Sequence, residues 1–157
     1  MSDKTQIGGV IRNPNLSLVG VVGLPDRPGA AGIVMNAMGR REINVECIAQ
    51  GVGEQGRANL TFCVGKDDLP ATMEALRQDV ASQVEAIVFM EDVAGLSIFG
   101  PDFRQRPSIA GHMFSALAVA GVNIRAISTS ISTVTCIVDN DRLEDAIVAI
   151  HKAFEMP

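Results

Sequence analysis

Apolar positions along the chain keep two rhythms. Ala30, Ile33, Val34, Ala37 and Met38 follow i, i+3, i+4, i+7, i+8 spacing, which predicts a helix with one buried face. Leu69, Thr72, Met73, Leu76 and Val80 do the same. Ile109, His112, Met113, Ala116 and Leu117 form a third stripe, and Leu143, Ala146, Ile147, Ile150 and Phe154 a fourth. Between them lie short β-branched runs that predict strands over 16–23, 43–49, 58–64 and 84–90, then over 93–99, 122–129 and 133–139. Pro28 and Pro107 stand just ahead of the first helix of each set, where a missing N–H costs nothing. Asp67 and Asn140 are the expected N-caps of the second helices.

The two sets are copies of one another. Moving Ala31, Gly32, Ala37, Asn44, Val45 and Ile48 by 79 positions lands on Ala110, Gly111, Ala116, Asn123, Ile124 and Ile127. Further on the offset becomes 74, because Gly51 to Arg57 hold five extra residues. Thr61, Val64, Asp67 and Leu69 then meet Thr135, Val138, Asp141 and Leu143. Internal duplication of this kind means two copies of one supersecondary unit. The first copy, 16–91, reads β-α-β-β-α-β, the ferredoxin-like order of an α+β fold. The second, 92–157, reads β-α-β-β-α and lacks its last strand. One spare apolar segment, Ile7 to Arg12, is expected to supply that strand, so the units are expected to be interleaved, with residues 6–12 joining the second.

Composition narrows the function. Of 157 residues 47% are hydrophobic and 20% charged, enough apolar material for a core and too little charge for a disordered chain. The formal charge is −5, with six Phe and no Tyr or Trp, so phosphate neutralisation and base stacking both lack material. No apolar run reaches the ~18 residues of a spanning helix, and the first dozen residues lack a signal peptide's pattern. Three cysteines, Cys47, Cys63 and Cys136, without CxxC spacing, argue against a disulfide framework or metal site and suit a reducing cytoplasm. Cys47 and Cys136 are expected to be small buried residues.

Catalytic motifs are missing. There is no phosphate-binding GxxxxGK[ST] loop and no GxGxxG after a strand. His112 and His151 are expected to be structural or solvated, and neither is paired in sequence with a nucleophile. What recurs is a strand, a short loop and a helix start, first at Gly23-Leu24-Pro25-Asp26-Arg27-Pro28-Gly29-Ala30. Free N–H groups at a helix start favour a carboxylate, Gly29 permits close approach, and Asp26 adds a negative charge. Together these suit the two ends of an amino-acid zwitterion; a plain tight turn with Asp26 as a cap residue explains them as well.

The motifs Gly-Leu-Pro-Asp-Arg-Pro-Gly (23–29), Ile-Asn-Val (43–45), Ala-Gly-Val-Asn-Ile (120–124) and Ile-Ser-Thr-Ser (127–130) resemble the paired ACT domains of aspartate kinase. So do the early Ile-Gly-Gly-Val, Leu-Thr-Phe-Cys-Val (60–64) and His-Lys-Ala-Phe (151–154). The likeness covers about residues 6–155, without the kinase catalytic domain, as in the short regulatory subunit of two-subunit enzymes. It implies allosteric regulation by a bound amino acid, threonine, lysine or both, with no cofactor and no catalytic residue. It also implies association with an aspartate kinase catalytic subunit and a homodimer.

Residue by residue, the resemblance implies one threonine-type pocket from Asp26, Gly29, Ala31 and Gln50, with Asn123 and Ile124 coming from the other unit. A second pocket would use Asn44 and Val45 with the loop 100–108, Ser108, Ala110, Thr129 and Ser130. Here the chain departs from the family. Its loop reads Pro-Asp-Phe-Arg-Gln-Arg-Pro-Ser (101–108) in place of Met-x-x-x-Pro-Gly, and Ile131 stands where the family has an acid. A buried ammonium without that carboxylate is costly, so lysine sensing is expected to be weak or absent. Ser17, Val19 and Val21, or Val93 and Gly95, are expected to form a homodimer seam. Two other roles compete: a stand-alone amino-acid sensor for another enzyme such as acetolactate synthase, and a small ferredoxin-like enzyme such as an acylphosphatase, with Arg27 and Arg106 as its anion site.

Overall fold

The computed structural model describes residues 4–101 and 103–157. Its elements are β1 (Thr5–Gln6), β2 (Gly9–Pro25), α1 (Ala30–Arg40), β3 (Val45–Val52), β4 (Arg57–Gly65), α2 (Leu69–Asp79) and β5 (Ala86–Phe99). Then come α3 (Ile109–Val119), β6 (Ala126–Thr129), β7 (Thr133–Asp139), α4 (Leu143–Ala153) and β8 (Phe154–Glu155). The chain forms two compact units: a first over Leu16–Glu91, and a second from the stretch ending at Asn15 plus the stretch beginning at Asp92.

Each helix has eleven residues. Such a helix is too short to hold alone and depends on its buried stripe. In the first unit Ala30, Val34, Ala37 and Met38 of α1 and Leu69, Ala75 and Leu76 of α2 are buried. They pack with Val19, Val21, Leu60, Phe62 and Val64 of the sheet. Its strands lie in the order β3, β4, β2, β5. Relative to the β-α-β-β-α-β path that is second, third, first, fourth, the ferredoxin-like arrangement.

The second unit repeats it with β6, β7, β5 and then the early part of β2 in fourth place. The N-terminal segment therefore does fill the missing position, by a longer route than Ile7 to Arg12. Ile7 is buried in the core with Leu96, Ile98, Met113 and Phe154. Its N–H donates to the Glu155 carbonyl at 2.9 Å, and the Gly8 N–H to the Phe99 carbonyl at 2.7 Å. The Phe99 ring lies so close over Gly8 and Gly9 that a Cβ on either would come within 3 Å of it. The Ile-Gly-Gly run is thus shaped to this ring. A small parallel pair, β1 with β8, closes the end; sequence periodicity places Phe154 on the last helix, but it is already extended and still buried.

Other expectations shift. The strand expected over 122–129 begins only at Ala126, because Val122 completes the α3 terminus by donating to the Leu117 carbonyl at 2.9 Å. Neither Asp67 nor Asn140 caps a helix. Both lie in 3₁₀ turns, Lys66–Asp68 and Asn140–Arg142, that lead into α2 and α4. The Asn140 side chain instead holds Asn15: its Oδ1 accepts from the Asn15 N–H at 3.0 Å. Asn15 has φ 61, a left-handed conformation that Asn tolerates better than most residues. Cys136 is fully buried as expected, whereas Cys47 is half-buried at a β-bulge with φ 44. Ser17, Val19 and Val21 are all at 0% exposure and face the first unit's core, so they form no seam; the exposed apolar residues of that unit are Ile48, Val52, Val88, Phe89 and Met90. Val93 and Gly95 are buried as well.

A candidate effector site on the first loop

The first loop is a braced arch. The Asp26 N–H donates to the Gly56 carbonyl at 3.0 Å, tying the arch to the β3–β4 hairpin. The five extra residues of that hairpin therefore have a structural use. At the other foot, the Gly23 N–H donates to Asn59 Oδ1 at 3.1 Å, and Arg57 donates to the Gly23 carbonyl at 2.8 Å. Arg57 was not among the sequence candidates; its position at the end of the inserted hairpin is the only signal it leaves.

Gly29 precedes α1 with φ 90, a region closed to most side chains, and nothing lies within 4 Å of where its Cβ would be. The Ile33 N–H bonds back to the Gly29 carbonyl, so the amides of Ala31 and Gly32 belong to the free first turn of the helix. That turn carries no acidic residue of its own. Asp26 and Gly29 are exposed and Ala31 half-buried. Gln50, also exposed, pairs with Leu60, which pairs with Val21. Two strand spacings, about 10 Å, separate it from the strand that leads into the arch. The arch can therefore offer an anion-binding helix start, a carboxylate and an amide side chain within one small area.

Asn44 and Val45 sit elsewhere in this unit. Val45 pairs with Val64, which pairs with Ser17, so five residues of strand, about 16 Å, part it from Gln50. The second unit repeats the separation. Ser108 and Ala110 are at the start of α3, Ser108 exposed and Ala110 packed on the core, while Asn123 and Ile124 follow its far end, about 16 Å away. Asn123 is exposed and Ile124 half-buried. Neither unit by itself gathers a full set of the sequence-derived site residues.

The second unit's loop is built differently. Phe103 is buried, inside a short 3₁₀ turn over Phe103–Gln105, and its N–H donates to the Ile131 carbonyl at 2.7 Å. Arg106 stacks 5.7 Å over the Phe103 ring and donates to the Gln6 carbonyl, so it is no anion site open to a ligand. Asp102, in the same loop, lies outside the described residues. Thr129 is exposed. The Ser130 hydroxyl is spent on the turn: it lies 2.7 Å from Thr133 Oγ1 and accepts from the Thr133 N–H at 3.1 Å. An aromatic in an otherwise polar loop was the legible sign of this plug.

His112 is structural. Its Nε2 lies 2.9 Å from the Ala153 carbonyl and its ring meets Phe154 edge-on at 4.7 Å. Burial pushes the Cys63 thiol up to about 12, with the nearby Cys47 and Glu46 adding to the effect, which leaves an inert thiol. Among the described residues no group of His, Cys, Asp and Glu has metal-site geometry, and no helix is long and apolar enough to cross a membrane.

Comparison with known proteins fixes the family. The ACT domain profile matches residues 16–80 and 96–154. The aspartokinase of Thermus thermophilus is 34% identical over 152 residues, 96% of this chain, and the chain spans 38% of that enzyme's length. The regulatory subunit of aspartate kinase from Thermus thermophilus, solved in a ligand-free form, is 34% identical, with a TM-score of 0.85 over 96% of this chain and all of that one. A structure of aspartokinase alpha and beta subunits matches with 32% identity and a TM-score of 0.81, covering 94% of this chain and 97% of that one. The chain belongs to the family of paired ACT domains that form the regulatory part of aspartate kinase.

Proposed function

We propose that this chain senses a free amino acid, threonine in preference to lysine, and passes its occupancy to an aspartate kinase catalytic subunit as feedback control. The observation that carries the reading is the arch at Asp26–Ala31. Gly29 opens the α1 start with no side chain in front of it, and Asp26 stands beside it. Free amides suit the carboxylate of an amino acid and Asp26 suits its ammonium. Gln50 adds a side-chain amide. Asn123 and Ile124 supply backbone and amide groups for the ligand's main chain.

The second loop supports the preference for threonine. Phe103 fills it, Ser130 is engaged, and Ile131 brings no charge for a lysine ammonium. Asn44, Val45, Ser108, Ala110 and Thr129 make the weaker site. The chain acts as a homodimer in the cytoplasm, and regulation needs no catalytic residue. A ligand shifts a conformational equilibrium only by its difference in affinity for the two states, and a coupling of about 1–3 kcal/mol alters partner binding roughly 5–150-fold.

Titration calorimetry of the full chain with threonine, lysine, methionine and isoleucine tests this. Threonine is expected to bind, Gly29→Ala and Asp26→Ala to weaken it at least about tenfold, and lysine to bind more weakly. Heat from lysine matching that from threonine, or no heat from any of the four, sinks the reading.

A further inference from the structure

The two units differ at one matched place, the outer face of the helix pair. In the first unit that face is clasped by charge. Arg40 and Arg41 both reach Asp79, at 2.7 and 3.0 Å, and Gln78 donates to Glu74 at 2.8 Å. The helices of the two units share their register, since α1 and α3 begin and end 79 positions apart and α2 and α4 74 apart. At the positions of Arg40, Glu74 and Asp79 the second unit has Val119, Val148 and Ala153. Val119 is 91% exposed and Val148 50% exposed. Both line a groove of about 590 Å³ along α3 and α4, floored by alanines.

The charges around the groove are self-complementary. Glu144 and Asp145 occupy the first turn of α4, and His151 and Lys152 the last. Val148 is the midpoint of α4. A twofold axis through it lays α4 antiparallel on its copy, so that Glu144 meets Lys152 of the partner subunit and Asp145 meets His151 of the partner subunit. Each contact is made twice, as a twofold interface requires. The valines and alanines fill the centre, and the Lys152 stem covers them while its ammonium reaches water.

We propose that the outer face of α3 and α4 is a dimer seam between two copies of this chain, centred on Val148. The proposal rests on the homodimer in the reading above and names its surface; it does not depend on which amino acid binds.

The test is sedimentation of the full chain over a wide range of concentration, with substitutions borrowed from the other unit so that the fold tolerates them. Val148→Glu, after Glu74, is expected to raise the dimer dissociation constant on the order of a hundredfold, by placing two carboxylates at the axis. Lys152→Glu alone weakens the dimer, and Glu144→Lys with Lys152→Glu restores it. Glu144 also pairs with Arg12, but that contact is exposed and worth little. Val148→Cys is expected to cross-link copies on oxidation where the wild-type chain does not. A Val148→Glu chain that dimerises like wild type overturns the seam and leaves the homodimer standing. A wild-type chain that stays monomeric at every concentration overturns both. Capture of the kinase catalytic chain by such a monomer, lost in Val148→Glu, overturns the seam in favour of that partner.

Discussion

Ile7 carries the second unit's dependence on the far end of the chain. It is 4% exposed, in a core otherwise made of residues beyond Asp92 apart from Val10. Truncating a buried Ile to Ala costs about 2–5 kcal/mol, the spread reflecting how well the hole closes. Here Phe103, Ile98 and Phe154 share that core and the flanking segment is pinned by backbone bonds to Phe99 and Glu155, so collapse is restricted. A loss of about 3 kcal/mol, some 150-fold in the opening equilibrium, is a large share of the ~5–10 kcal/mol that holds a unit of this size. Hydrogen exchange read by mass spectrometry resolves the units. In Ile7→Ala, amides of α3, α4 and β7 are expected to lose protection while those of α1, α2 and β4 keep theirs. Deletion of residues 1–12 should abolish the second unit's slow amides outright. Equal loss in both units, or none, would falsify the assignment of this segment to the second core.

Four further outcomes follow from single residues. Glu42, at φ 55, occupies the helix-terminating position that Gly121 takes at φ 71 in the other unit; Glu42→Gly should stabilise and Gly121→Ala destabilise, each by about 1 kcal/mol in chemical denaturation. Thr72 is fully buried with no partner for its hydroxyl; Thr72→Val keeps the shape, removes the unpaired group and is expected to raise stability by about 1 kcal/mol, several degrees in Tm. Hydrogen bonds from Arg41 and Arg40 hold the Asp79 carboxyl below its ordinary range, and one from Arg125 does the same for Asp139. Their folded-state pKa values are depressed, so this stabilisation is present above the ordinary carboxylate range and lost as pH falls through it; Asp79→Asn should flatten that acid limb of a melting-temperature profile. Cys63 is expected to react with thiol reagents only at the rate of unfolding, ahead of which the half-buried Cys47 is labelled; fast labelling of Cys63 in the native chain contradicts its burial.

The sequence by itself determined the local elements and the duplication. Both depend on neighbours within a turn or two: helix stripes at i, i+3, i+4, strand runs closed by Gly and Asn, and two offsets that match all four helices end to end. The candidate arch at Asp26–Ala31 was legible for the same reason, being one continuous run of turn residues before a helix. Tertiary structure alone decided which face of β2 is inner. Ser17, Val19 and Val21 alternate with Leu16, Leu18 and Gly20, and either set could face a core until α1 and α2 are packed on one side. It also moved Asn140 from a helix cap to a partner of Asn15, 125 positions away, and turned Arg106 from an open cation into a strap over Phe103. Such contacts join residues distant in sequence, and no local periodicity encodes which of several equally polar partners a side chain will meet once the chain has closed.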